Sequence, residues 1–327
     1  MKIISLVIAA YNVDKYIEKC LNSCVQQNIS DAIYEIIVVD DGSTDNTFSI
    51  ANRYEKKYSN IKIIQQKNTG LGSARNTGIK NSQGKYIWFI DGDDFIEKNV
   101  LENITKTLES EQPDCLVLNY NITDEYGKML QANVYKPFMD KEIENGAEYY
   151  KNNYQMSYSW IYIFKKEIYM KNNIFFKESI NMQDSEILPK LLFYTNKLKF
   201  FKPAVYNYVQ REDSFTNSTN GKKRYKYFQS IIEVKNSLQN FCLTIPNEKI
   251  NLKIGIQNKL NSLHKVIFYH LIFFKYDKKD LRKNIELLKQ NKLYPLQYKA
   301  KGKLKIVKIF MNIFPIFTKK IIDFIRL

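Results

Sequence analysis

The stretch Tyr86-Ile87-Trp88-Phe89-Ile90-Asp91-Gly92-Asp93-Asp94 decides the fold. Tyr86–Ile90 shows none of the polar alternation of a half-exposed strand, so it reads as a strand covered on both faces, as in parallel sheets. The strand stops at Asp91, and carboxylates leave its end around one permissive glycine. Hard divalent cations take carboxylate and phosphate oxygens plus water rather than a full protein cage. Two or three of the acidic groups at Asp91, Asp93 and Asp94 therefore suit a Mg²⁺ or Mn²⁺ shared with a diphosphate. Taken alone, the tetrapeptide could equally be an acidic turn, because Asp and Gly are ordinary turn formers.

Working outward, similar apolar runs recur at Ile3–Ala10, Glu35–Val39, Ile61–Gln65 and Cys115–Asn119. Helical signals alternate with them. Asp14 can cap a helix whose Ile17, Leu21, Cys24 and Val25 share one stripe, and Thr44–Tyr58, Arg75–Asn81 and Asn99–Glu109 continue the pattern. This rhythm predicts an α/β fold with a mainly parallel sheet flanked by helices. Ligands of such sheets gather beyond the carboxyl ends of the strands. The polar clusters Ala10–Asn12, Asp40–Ser43 and Asp91–Asp94 all fall there, on one edge.

The pair Asp40-Asp41 leaves the second strand ahead of Gly42-Ser43. Ser43, Thr44 or Asp45 can cap the next helix, but capping does not account for two adjacent carboxylates, whose repulsion needs a partner. A nucleobase or ribose would serve. In Asn68-Thr69-Gly70-Leu71-Gly72-Ser73-Ala74-Arg75 the third glycine of a dinucleotide fingerprint is replaced by Arg75, which argues against a NAD site. The loop can still approach phosphate, with Arg75 as the cation.

With Val7-Ile8-Ala9-Ala10-Tyr11-Asn12, Val38-Val39-Asp40-Asp41-Gly42-Ser43, the Asn68–Gly78 loop and Asp91-Gly92-Asp93-Asp94, residues 1–100 resemble family 2 glycosyltransferases of the GT-A fold in motif order and spacing. The resemblance implies an inverting enzyme that uses a UDP-sugar or other nucleotide-sugar. Ala10, Asn12, Asp40 and Asp41 would form the nucleoside pocket, with Asp41 on the uracil. Asn68 and Arg75 would help hold the nucleoside and diphosphate, and Asp91 and Asp93 the metal. More weakly, Trp160 resembles the acceptor region, Asp184 the catalytic base with Glu186 its nearest rival, and Arg211-x-x-Ser214-x-Thr216 the loop over the diphosphate. Gln183 stands where Glu is usual, and Tyr162 where Lys is common. The acceptor implied is a glycan or lipid-linked glycan in surface polysaccharide synthesis.

Among 327 residues, 50 are Lys or Arg and 34 Asp or Glu, a formal charge of +16. The excess is confined: residues 221–327 hold 24 basic residues against 6 acids. This predicts a catalytic domain over 1–220, divided near 120 into donor and acceptor halves, and a basic helical region over 221–327. Residues 299–327 carry eight Lys or Arg and one acid, Asp323, with Ile and Phe between them. Such a composition suits an interfacial helix on an anionic membrane, split in two by Pro315; packing on the protein's own core is the alternative. Strand-like pieces recur at Trp160–Phe164 and Phe200–Val209. No run approaches the ~20 apolar residues of a membrane span. The expected location is cytoplasmic, peripheral on the inner face of the cell membrane.

The four cysteines, Cys20, Cys24, Cys115 and Cys242, have no metal-ligand spacing and read as reduced thiols. A sugar nucleotidyltransferase would show a Gly- and Arg-rich loop after the first strand, where Ala9-Ala10-Tyr11-Asn12 stands instead. Charge alone suggests a non-catalytic membrane- or nucleic-acid-binding protein. No recognition module accompanies it, and no nucleic-acid partner is expected.

Overall fold

A computed structural model describes residues 2–134, 143–211, 221–274 and 276–325. In the N-terminal half, strands β1 (Ile4–Ala10), β2 (Tyr34–Asp40), β3 (Ile61–Gln65) and β4 (Tyr86–Asp91) lie parallel in the order β3-β2-β1-β4. All seven residues of β1 and all seven of β2 are buried, which is why both runs lack alternation. Helices α1 (Ile17–Val25), α2 (Thr47–Lys57) and α3 (Leu71–Asn81) connect them. Gly78 lets α3 press onto the sheet, because a Cβ there would stand 2.2 Å from Val7 Cγ1.

Beyond β4 the pairing becomes mixed. A short strand β5 (Phe95–Ile96) and helix α4 (Leu101–Glu111) precede β6 (Cys115–Asp124). Strands β7 (Met129–Gln131) and β8 (Ile143–Glu144) and helix α5 (Gly146–Asn153) follow. Strand β9 (Tyr162–Lys165) then enters between β4 and β6, antiparallel to both. After helices α6 (Lys166–Lys171) and α7 (Gln183–Phe193), strand β10 (Leu198–Gln210) runs parallel to β6 and antiparallel to β5. The all-parallel run read from the sequence thus covers β1 to β4, where each crossover carries a helix, and the parallel pair β6 and β10 stands among antiparallel neighbours. β9 arrives from the far side and needs no crossover.

The C-terminal region is helical, with α8 (Gly221–Thr244), α9 (Ile250–Phe273), α10 (Lys278–Gln290), α11 (Lys303–Ile313) and α12 (Pro315–Ile325). One buried cluster runs from β1 through α7 into α8 and α9, including Leu192, Phe228, Ile256 and Leu263. The boundary expected near 220 falls among residues outside those described. Pro315 separates α11 from α12 and opens the second helix, a position where its missing N–H costs nothing.

Two expected caps are corrected. α1 starts after Tyr16 without a side-chain cap, and the Asp14 N–H instead donates to Asp45 Oδ2 at 3.1 Å. α2 starts at Thr47 rather than Thr44. Ser43 accepts from the Asn12 N–H at 3.1 Å, and Asp45 Oδ1 accepts the Thr47 N–H at 2.9 Å.

Candidate active site

The carboxyl ends of β1, β2 and β4 form one edge, as expected. Ala10 is buried opposite Asp40 and its carbonyl accepts the Asp41 N–H at 2.9 Å. Asn12, at φ 52°, follows on the surface and accepts from the Thr44 N–H at 2.8 Å, tying the end of β1 to the exit of β2. Gly42 turns this exit at φ 73°, where a Cβ would meet the Asn68 nitrogen at 2.9 Å. Asn68 is exposed on the facing loop.

The paired carboxylates find their partners inside the protein. Asp40 is fully buried between the Ser43 N–H, at 3.4 Å, and Gln65 Nε2, at 3.3 Å. Asp41 accepts from Gln66 Nε2 at 2.7 Å, the Thr69 N–H at 3.1 Å and the Gly70 N–H at 2.8 Å. These bonds offset the repulsion for which a nucleoside was expected to serve. Asp41 is only 3% exposed, so it fixes the 66–70 loop first.

Arg75 also differs from its expected place on the diphosphate. Its side chain is 1% exposed, lying between the Phe89 and Phe176 rings. Nη2 donates to Asp91 Oδ1 at 2.7 Å and Nη1 to Asp184 Oδ1 at 2.5 Å. Burial alone would lower the guanidinium pKa, but Asp184 and Asp91 outweigh it and raise it. Residues 16 and 109 positions apart from Arg75 are thereby joined by one cation. Asp184 stands in the first turn of α7 and receives a second bond on the same oxygen, from Ser159 Oγ at 2.5 Å. The rival Glu186 points elsewhere: it is buried, paired with Lys190 and accepts from Ser237 Oγ at 2.5 Å.

Asp93 pairs with Arg211, whose guanidinium also lies 4.7 Å from the Tyr16 ring centre. Burial and then the Asp91 charge raise the Asp93 carboxyl, against the pull of Arg211. Asp94 is a fixed support beneath them, accepting from Tyr206 Oη at 2.7 Å and the Val209 N–H at 2.8 Å. Burial first, then Asp93 and Asp91, push its pKa well up. The described residues contain no ready group of three or more metal-ligating side chains. Asp91 and Asp93 do fit a two-carboxylate site completed by phosphate and water, because excess negative charge is gathered there without a cage around it.

In the segment expected to face the acceptor, Trp160 is 4% exposed and stacks on Tyr206 at 4.5 Å and Tyr208 at 5.7 Å, so it is a core ring. Tyr162, in place of the common Lys, is likewise buried and donates to the Met156 carbonyl at 2.6 Å. Ser214 and Thr216 lie outside the described residues. Sequence reading assigned no role to Ser159, Gln66 or Tyr206, whose contacts join distant segments and leave no local signal. Asp94 was in plain view within the quoted stretch.

The profile of the family described as Glycosyl transferase family 2 matches residues 5–170, half of the chain. The chain belongs to this family. It is 32% identical over 222 residues to the uncharacterized glycosyltransferase EpsJ of Bacillus subtilis, a match covering 65% of the chain and 63% of that relative. The fold of this family 2 member is similar to that of Staphylococcus aureus TarS 1–349 in complex with UDP-GlcNAc, with a TM-score of 0.62 and 19% identity over 92% of this chain and 93% of that one. The mannosyltransferase PcManGT of Pyrobaculum calidifontis, in complex with GDP-Man and Mn²⁺, is similar with a TM-score of 0.57 and 14% identity, over 98% of this chain and 84% of that one. The GT-A architecture expected from the motifs is therefore the observed one.

Proposed function

We propose that the chain is an inverting glycosyltransferase that moves a sugar from a UDP-sugar to a hydroxyl of a glycan or lipid-linked glycan during surface polysaccharide synthesis. The observation that carries this reading is the Arg75 bridge. It sets the donor-side carboxylate Asp91 and the base Asp184 on the two nitrogens of one buried guanidinium, so both are placed before substrate arrives. Asn12 and Asn68 rim the nucleoside end, with Asp40 and Asp41 holding their loops from behind. Asp91 and Asp93 would hold Mn²⁺ or Mg²⁺, which when bound offsets charge on the departing diphosphate. Arg211 adds a second cation.

Asp184 takes the proton of the acceptor hydroxyl as that oxygen bonds to the anomeric carbon. The bond from that carbon to the UDP oxygen breaks on the opposite face, and the configuration inverts. Oδ1 of Asp184 is fixed by Arg75 and Ser159, while Oδ2 accepts no bond from any described residue. The carboxylate is thus oriented through one oxygen.

The C-terminal helices support a peripheral place on an anionic membrane, at the cytoplasmic face. α12 docks through Lys319, whose Nζ donates to the Ile272 carbonyl at 2.9 Å, and α11 through the buried Met311. Ile306, Ile309, Phe310, Ile313, Phe314 and Phe317 remain between 46% and 64% exposed, an apolar patch beside basic residues. No described helix is long and apolar enough to cross a membrane.

Release of UDP from a panel of UDP-sugars, with Mn²⁺ or with chelator, tests the reading. Release with at least one donor, lost on chelation, is expected. Asp184→Asn should lower turnover by about 10²–10⁴-fold while UDP still binds. Full turnover by this variant would remove Asp184 from the mechanism.

A further inference from the structure

A cavity of about 660 Å³ opens between α8 and α9, apart from the motifs that define the family. Lys223, Arg224, Lys259 and Lys265 line it, and no Asp or Glu does so among the described residues. The remaining wall is largely aromatic. Tyr269 stacks on Phe273 at 5.0 Å, and the Arg224 guanidinium lies 4.6 Å from the Phe274 ring centre. Cations set in apolar, aromatic surroundings favour an anion that carries apolar surface with it.

Lys259 is the most demanding of the four. It is 7% exposed, and its Nζ donates to Ser157 Oγ at 3.0 Å. Burial lowers its pKa to about 8, against the opposing charge of Asp184. A buried ammonium with a neutral hydroxyl for partner is costly, and an anion in the cavity would offset that cost.

The cavity also reaches the reaction edge through one short segment. Gln155 lines the cavity, Ser157 accepts from Lys259, and Ser159 donates to Asp184. We propose that this cavity holds the phosphate-bearing, apolar-tailed portion of the acceptor and so presents the acceptor hydroxyl to Asp184. The acceptor is then a phosphorylated amphiphile, recognised by its phosphate on the lysines and by its tail on the aromatic wall. This assignment rests on Asp184 being the base.

The test is titration of the full chain with dodecyl phosphate below its micellar concentration, with glycerol 3-phosphate and with dodecyl maltoside, followed by calorimetry. Lys265 and Lys223 are both exposed, so Lys265→Glu and Lys223→Glu should fold, which circular dichroism checks. Dodecyl phosphate should bind the native chain, and each reversal should weaken it by about tenfold or more, the scale of one charge-assisted bond. Glycerol 3-phosphate should bind more weakly, and dodecyl maltoside not at all. Equal binding of both phosphates would overturn the apolar-tail assignment. Equal binding by native and reversed chains, or binding of the maltoside as tight as the phosphate, would overturn the site altogether. UDP titration of the native chain separates the two readings: UDP binding without dodecyl phosphate binding breaks this inference alone, and the converse breaks the donor reading.

Discussion

At the sheet edge, Asp91, Asp93 and Asp184 are held by Arg75 and Arg211, which the fold itself supplies. The cavity between α8 and α9 instead gathers Lys223, Arg224, Lys259 and Lys265, with no carboxylate among the described residues of its lining. The first region opposes most of its carboxylates with cations of its own fold, leaving an excess of negative charge. In the second, Lys259 is buried with a neutral hydroxyl for its partner, and an entering anion would offset part of that cost.

The largest effect on this contrast should come from Arg75→Met. Removing the guanidinium leaves Asp91 and Asp184 without their shared partner in a mostly buried setting, at a cost of about 3–5 kcal/mol. Arg75→Lys should recover only part, because Nη1 and Nη2 reach different carboxylates and one ammonium cannot span both. Urea unfolding measures both variants. A loss below about 1 kcal/mol would show that the edge does not depend on the bridge.

Asp94→Asn tests the support beneath the edge. The carboxylate accepts from Tyr206 Oη and the Val209 N–H, whereas an amide can turn only one oxygen toward them. Stability should fall by about 1–3 kcal/mol. No change in the unfolding midpoint would show that Asp94 bears no such load.

In the helical region, burial first, with Lys235 beside His264 and Arg224 beside His270, lowers both imidazole pKa values to about 4. The unfolded chain takes up these protons near pH 6.5, and the folded chain only near 4. Stability should therefore be lost as pH falls through that window. Urea midpoints at pH 7 and pH 5 should differ, and less so in a His264→Gln, His270→Gln double variant. An identical slope in that variant would place the acid sensitivity elsewhere.

The smallest effect on the fold is expected for Phe310→Ser with Phe317→Ser. Both rings are exposed, at 49% and 64%, so unfolding should shift by less than about 0.5 kcal/mol. Sedimentation with anionic vesicles should nevertheless fall several-fold, while undiminished sedimentation would free the tail from its membrane role.

The edge was legible because its chemistry is local. Tyr86–Ile90 with Asp91-Gly92-Asp93-Asp94, and Val38-Val39 with Asp40-Asp41, place strand and carboxylates side by side in the chain, so period and turn chemistry suffice. Pro315 is legible as a break for the same reason. Other roles were not. Arg75 reads as a phosphate-facing cation next to glycines, yet the approach of α3 to the sheet buries it against Phe89 and Phe176. Trp160 reads as an acceptor contact, yet Tyr206 and Tyr208 of β10 enclose it.

By itself the sequence determined the parallel N-terminal strands, the three polar clusters at their edge and the cationic end of the chain, since each depends on neighbours within a few residues. Only the tertiary structure decided which charges meet. Arg75 reaches Asp184 across 109 residues, Ser159 reaches it from a separate turn, and Lys259 comes to Ser157 across 102. Such pairings are set by how helices pack on the sheet, and a side chain carries no local mark of the partner that packing will bring to it.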